Sequence, residues 1–210
     1  MGTAIDRVAG PAEQSGQSPD TFPRLLAGLA RTRPEQTALQ EKRYGIWQPL
    51  TWATYAARVR DFAHGLAALG VQRGHVVAVL GDNRPEWLVA ELAAQSLGAA
   101  VVGIYPTSIG EELRHILTLA DVRVVVAEDQ EQVDKLIRLR EESHSTSSGI
   151  PPRPLTVETV VFYDPHGLEA YSHPGLRDFT DVEALGREWG ERHPGWLDEQ
   201  VAAGRAEDTA

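Results

Sequence analysis

The chain has 210 residues, 42% apolar and 24% charged, the composition of an ordinary folded domain. That mix excludes a disordered tail, a collagen-like repeat and a coiled-coil rod. Thirty acidic residues against twenty basic ones leave a formal net charge of −10. Without a basic stripe such a chain is a poor binder of nucleic acid, whose affinity rests on phosphate neutralisation, and a poor candidate for holding anionic lipid by charge alone.

Cysteine is absent, which removes disulfides, zinc-thiolate sites, iron–sulfur clusters and cysteine nucleophiles. Lysine occurs only at Lys42 and Lys135, so any mechanism that needs one must use one of these two. The N-terminus carries no apolar core of signal-peptide length, and Asp6 stands where a myristoylation motif has Ser or Thr. The longest uncharged apolar run, Leu97 to Tyr105, falls short of the ~20 residues a membrane span takes. A cytoplasmic protein without a transmembrane segment is expected.

In chain order, residues 1–20 are rich in Gly, Pro, Ser and Gln without a period and predict a disordered leader. A short helix follows from Thr21, with Phe22, Leu25, Leu26 and Leu29 on one face and Pro34 as its stop. Residues 38–42 and 46–50 flank Arg43-Tyr44-Gly45 as the strands of a hairpin. The stretch 50–70 is the clearest helix: Trp52, Tyr55, Val59, Phe62, Leu66 and Leu69 recur at spacings of three and four. Thr51 can cap its start and Gly70 end it.

Strands and helices then alternate. Residues 75–80, 99–104 and 122–127 are short apolar runs that suit strands buried on both faces. Between them, Asn83 with Glu86 caps one helix and Ser108 with Glu111 boxes another. An amphipathic helix runs from Asp129 to about Arg140. Residues 142–155 are rich in Ser and Pro and predict a flexible loop. A fourth strand (156–163), a turn-rich stretch, a helix capped by Thr180 with Glu183, and a last helix at Trp196 to Ala203 complete the chain. This order predicts an α/β fold with a mostly parallel sheet and flanking helices. The units are a leader (1–20), an α/β subdomain (21–141), a loop (142–155) and the subdomain's continuation (156–210).

The chemical motifs are mostly missing. There is no GxGxxG, no GxxxxGK[ST], no GxSxG and no HExxH. His64 lies one turn from Asp61, and His115 one turn from Glu111 and Glu112, as ordinary helix-surface pairs do. His75 and His166 have no sequence-adjacent partner that suggests catalysis. The stretch Ser145 to Arg153 loosely resembles an anion-holding Ser/Thr/Gly loop, yet it follows a helix and reads as a linker. GDNRPEW (81–87) sits at the carboxyl end of a strand, where open α/β sheets bind ligands. Its plainer reading is a packing corner: Asn83 caps, Arg84 and Glu86 face solvent, and Trp87 enters the core.

Several of these strings together resemble one family. Thr51-Trp52-Ala53-Thr54-Tyr55, Gly81-Asp82-Asn83-Arg84-Pro85-Glu86-Trp87, Leu97-Gly98-Ala99 and Ile104-Tyr105-Pro106-Thr107 are similar to the N-terminal region of AMP-forming long-chain fatty-acyl-CoA synthetases, members of the adenylate-forming superfamily. Val126 to Lys135 and Tyr163-Asp164-Pro165-His166-Gly167 fit as well, so the resemblance runs from about Asp20 to the end. It implies an N-terminal subdomain of a ligase that uses ATP and Mg²⁺ to make an acyl-adenylate from a fatty acid and then passes the acyl group to CoA. The family's phosphate loop, adenine and ribose contacts and catalytic lysine would lie beyond Ala210. The resemblance therefore assigns no catalytic, cofactor-binding or metal-ligating residue within 1–210, and the fragment is expected to be inactive and to have the remainder of such a ligase as its partner. The intact family would be cytoplasmic or peripheral to a membrane. A non-catalytic interaction or regulatory module that keeps the fold is the alternative, and an unrelated nucleotide binder is disfavoured by the missing glycine loop. If later segments normally cover the sheet, this chain should expose an apolar face and be marginally stable.

Overall fold

The computed structural model describes residues 21–143 and 155–209. The predicted leader lies outside them, as do the linker at Ser145 to Arg153 and most of the 142–155 loop. Helix α1 (Phe22–Thr32) leads into a two-stranded antiparallel hairpin, β1 (Thr37–Arg43) and β2 (Ile46–Thr51). Tyr44 and Gly45 take φ values of 49° and 81°, the left-handed pair that a two-residue hairpin turn requires. Helix α2 (Trp52–Ala68) starts where the Thr51 hydroxyl accepts the Thr54 amide at 3.2 Å, and the chain turns out of it at Gly70 (φ 89°). Both ends match the sequence expectation.

The body of the molecule is a five-stranded parallel sheet in the order β4-β3-β5-β6-β7. Its strands are β3 (Val76–Leu80), β4 (Ala100–Ile104), β5 (Val124–Ala127), β6 (Thr159–Phe162) and β7 (Leu176–Asp178). The crossover helices are α3 (Pro85–Ser96), α4 (Gly110–Leu119) and α5 (Gln130–Ser143), and α6 (Phe179–Arg192) and α7 (Trp196–Ala203) close the chain. Val77, Val79, Val124, Val126 and Val161 face a core built with α1, α2, α3, α6 and α7. Ala78, Leu80, Val125, Ala127, Val160 and Phe162 face a second core built with α4 and α5. Alternate residues of one strand thus enter opposite cores, which is why these strands read as unbroken apolar runs.

Among the described residues the bare sheet face expected from the sequence is not found, because α6 and α7 return to the α2–α3 side and α4 and α5 cover the other. Val77, Val79 and Val125 are fully buried. The strongly exposed large apolar side chains instead lie at element ends: Tyr44, Ile46 and Trp47 on the hairpin, Tyr105 and Ile109 before α4, and Leu119 at its end. Phe22 and Leu25 of α1 are also exposed, so only part of the predicted α1 face is core.

Four local expectations are corrected. Strand β4 is an edge, so its Val101 and Val102 are only half-buried. Arg84, not Asn83, is the N-cap of α3, since Pro85 occupies the first turn and forces the residue before it into an extended conformation. Helix α4 begins one residue later than expected: Ile109 is its N-cap and donates its amide to Glu112, so Ser108 with Glu111 forms no box. Helix α6 is capped by Asp178, whose carboxylate accepts from the Thr180 amide at 2.7 Å. Strand β7 is a further element, paired in register Val160 to Leu176; three residues without an apolar run leave no sequence signal.

Candidate functional site

The chain leaves β3 by α3 toward one core and enters β5 by α4 from the other. The carboxyl ends of β3 and β5 therefore flank the crevice where an open α/β sheet receives ligands. Glu128, the first residue after β5, fills it. The side chain is almost fully buried and accepts the Asp82 amide at 2.6 Å and the Arg84 Nε at 2.8 Å. Arg84 also lies 3.7 Å from Glu41 of β1, which ties the hairpin to the sheet edge. Tyr163, after β6, points its hydroxyl at the Asp82 carbonyl at 3.4 Å. Burial first, and the Glu128 charge second, push that phenol well above its ordinary range.

Gly81 is what lets these groups converge. A Cβ there would stand 2.3 Å from the Tyr163 hydroxyl and 2.6 Å from Glu128 Cβ. Any side chain at 81 would have to push the plug out of the crevice.

The GDNRPEW corner is thus more than packing, and two of its charges are paired rather than left free in solvent as expected. Arg84 is bound to Glu128. Glu86 accepts from Arg58 of α2 at 3.2 Å, while Arg58 Nε reaches Glu183 of α6 at 2.8 Å over the face of Phe179. Trp87 is half-buried and lies over Gly103, where a Cβ would come within 3.0 Å of the indole. Trp87, Gly103, Tyr105, Pro106 and residues 81–83 line a pocket of about 320 Å³ beside the plug. A smaller hollow of about 240 Å³ lies at the amino end of β4, between residues 21–25 and 204–209, away from this crevice.

The remaining residues weighed in the sequence reach the crevice only at its rim, through Lys135 at Pro106 and His166 at Asp164. Lys42 stands 5.9 Å from the centre of the Trp47 ring on the hairpin. Lys135 donates to the Pro106 carbonyl at 2.6 Å and lies 2.9 Å from Glu131. His75 accepts from the Gln72 amide, and His115 is exposed on α4. His166 is exposed and held by Asp164, which raises its imidazole above the ordinary value. His64 departs from expectation: it is buried against α6 and α7, and Asp61 pairs with Arg187 at 3.0 Å instead.

The donor set can be tested against ATP and Mg²⁺. At the crevice stand Asp82, Glu128 and Asp164, with Arg84 engaged by Glu128, His166 by Asp164, and Lys135 by Glu131 and the Pro106 carbonyl. Among the described residues no group of three or more His, Asp or Glu could hold a metal ion. A triphosphate would meet net negative charge at this edge, so the residues present do not fit the nucleotide or its metal. Among the described residues no helix is long and apolar enough to cross a membrane.

Comparisons with known proteins agree with this fold and with the resemblance in the sequence. The profile of the family described as AMP-binding enzyme matches residues 27–169. A rat protein named long-chain-fatty-acid–CoA ligase ACSBG2 is 33% identical over 148 residues, 70% of this chain and 20% of that protein. The chain thus spans about a fifth of that relative. The uncharacterised protein Rv1549 of Mycobacterium tuberculosis is 36% identical over 148 residues, 70% of this chain and 75% of that protein. In structure, acetoacetyl-CoA synthetase from Streptomyces lividans superposes with a TM-score of 0.64 at 23% identity, covering 78% of this chain and 25% of that one. The match over 27–169 places this chain in the AMP-binding enzyme family.

Proposed function

We propose that these 210 residues act as the N-terminal subdomain of an AMP-forming long-chain fatty-acyl-CoA ligase, with 21–141 and 156–210 forming one unit. The observation that carries this reading is the Glu128 plug. The crevice that would take a ligand is filled by the chain's own carboxylate, so the unit serves as scaffold. ATP, Mg²⁺, fatty acid and CoA are then handled by sequence outside these residues, and no catalytic, cofactor-binding or metal-ligating residue belongs to them. The test is isotope exchange between pyrophosphate and ATP with palmitate and Mg²⁺. This chain alone should show no exchange above the blank, and exchange that depends on the fatty acid would overturn the reading.

One observation favours a second reading. Helices cover both faces of the sheet, so the fold has what a self-sufficient, non-catalytic module needs. Light scattering with a thermal melt tests it. A monodisperse, cooperatively melting monomer is what the module requires, and self-association or a melt without a transition would rule it out.

A further inference from the structure

His64 is buried near the C-terminal end of α2, where its neighbours are supplied by the last third of the chain. Its ring lies 5.5 Å from Trp189 of α6 and 6.4 Å from Trp196 of α7, centroid to centroid. Trp189 is stacked on His193 at 3.7 Å and meets Trp196 edge-on at 4.7 Å. The Nδ1 edge of His64 is pressed against Gly190, where a Cβ would fall 2.5 Å from the nitrogen. Nε2 is buried and has no hydrogen-bond partner among the described residues.

Such a setting accepts an aromatic ring and offers Nε2 no acceptor for a second ring proton among the described residues. The charged groups around it offer little relief. Arg60 and Asp61 flank it on α2, but Asp61 is held by Arg187 of α6. Glu191 of α6, His193 after it and Asp198 of α7 line the same hollow of about 390 Å³. We propose that the corner where α2, α6 and α7 meet is an acid-released clasp, shut while His64 is neutral and opened when the imidazole takes a proton. The segment released is α7 with the end of α6: α7 is short, Leu197 is its one buried side chain, and it is otherwise tied by Arg24 to the Ala202 and Gly204 carbonyls and by Arg73 to the Gln200 carbonyl, whereas α2 is fastened to the sheet through Phe62 and Leu66.

The pH window follows from the ring's surroundings. Burial first and Arg60 second hold the His64 imidazole below its ordinary value. The open state, with His64 in water, protonates near pH ~6.5. Opening is therefore suppressed above that pH and grows as pH falls, up to about tenfold per unit, until the closed form also takes the proton.

Hydrogen exchange on the whole chain at about pH 7.5 and about pH 5.5, corrected for the intrinsic rate, tests the clasp. Peptides spanning 186–203 should exchange up to about tenfold faster at the lower pH, while peptides spanning β3 and β5 stay unchanged. His64→Phe should abolish the acid response and His193→Gln should keep it. An acid response that persists in His64→Phe, vanishes in His193→Gln, or spreads evenly over the sheet would overturn the proposal. Should His64→Phe fail to fold, proton NMR of the wild-type imidazole decides: a midpoint below the ordinary value is required, and one at or above it overturns the clasp.

Discussion

Glu128→Ala is the perturbation that probes the plug most sharply. It removes the acceptor of the Asp82 amide at 2.6 Å and of the Arg84 guanidinium at 2.8 Å. A hydrogen bond to a charged group contributes about 1.5–3 kcal/mol, and the part-buried Asp82 amide would lose its acceptor. The Arg84 side chain is 36% exposed, so water replaces much of its bond, and that pair contributes about 0.5–1 kcal/mol. The sum, about 2–4 kcal/mol, should lower Tm by roughly 4–16 °C for a domain of this size. Far-UV circular dichroism melts measure it. Arg84→Met alone should cost about 1 kcal/mol, and the double variant should cost less than the two singles together by at least about 0.5 kcal/mol. A Glu128→Ala protein that melts within about 1 °C of the parent would refute the claim that this carboxylate holds the crevice closed.

Two glycines in helices should respond in opposite directions. At Gly186 of α6 a Cβ would lie 1.8 Å from the Asp61 carbonyl oxygen of α2, so Gly186→Ala should cost about 1–3 kcal/mol through overpacking, read as a lower Tm. At Gly28 of α1 a Cβ meets nothing within 4 Å, so Gly28→Ala should raise stability by about 0.5–1 kcal/mol in a urea titration. Tyr55→Phe deletes the hydroxyl donated to the Leu88 carbonyl at 3.2 Å. It should cost about 1 kcal/mol with an unchanged denaturant slope.

What the sequence discloses depends on how local the cause is. Helix α2 is legible because its apolar spacing and the Thr51 cap lie within one stretch of chain. Strands β3 and β5 are legible because burial on both faces leaves an unbroken apolar run. The caps of α3, α4 and α6 slip by a residue or two, since Asn83, Ser108 and Thr180 are capable residues standing beside the ones the backbone uses. The site is least legible. Arg84 and Glu86 look like solvent-facing charges until Glu128, 44 residues on from Arg84, and Arg58, 28 residues back from Glu86, are folded against them. Glu128 itself follows an apolar run as any strand-ending carboxylate might. His64 looks like a surface partner of Asp61 because α6 and α7, which bury it, come more than a hundred residues later.

The central claim, that these residues build the fold and leave nucleotide chemistry to other sequence, is tested most directly by isothermal titration of the chain with Mg-ATP. The edge lined by Asp82, Glu128 and Asp164, with Arg84 already bound, predicts no saturable heat up to millimolar nucleotide. A saturable isotherm with a Kd in the micromolar range, about −8 kcal/mol of binding free energy, would contradict it.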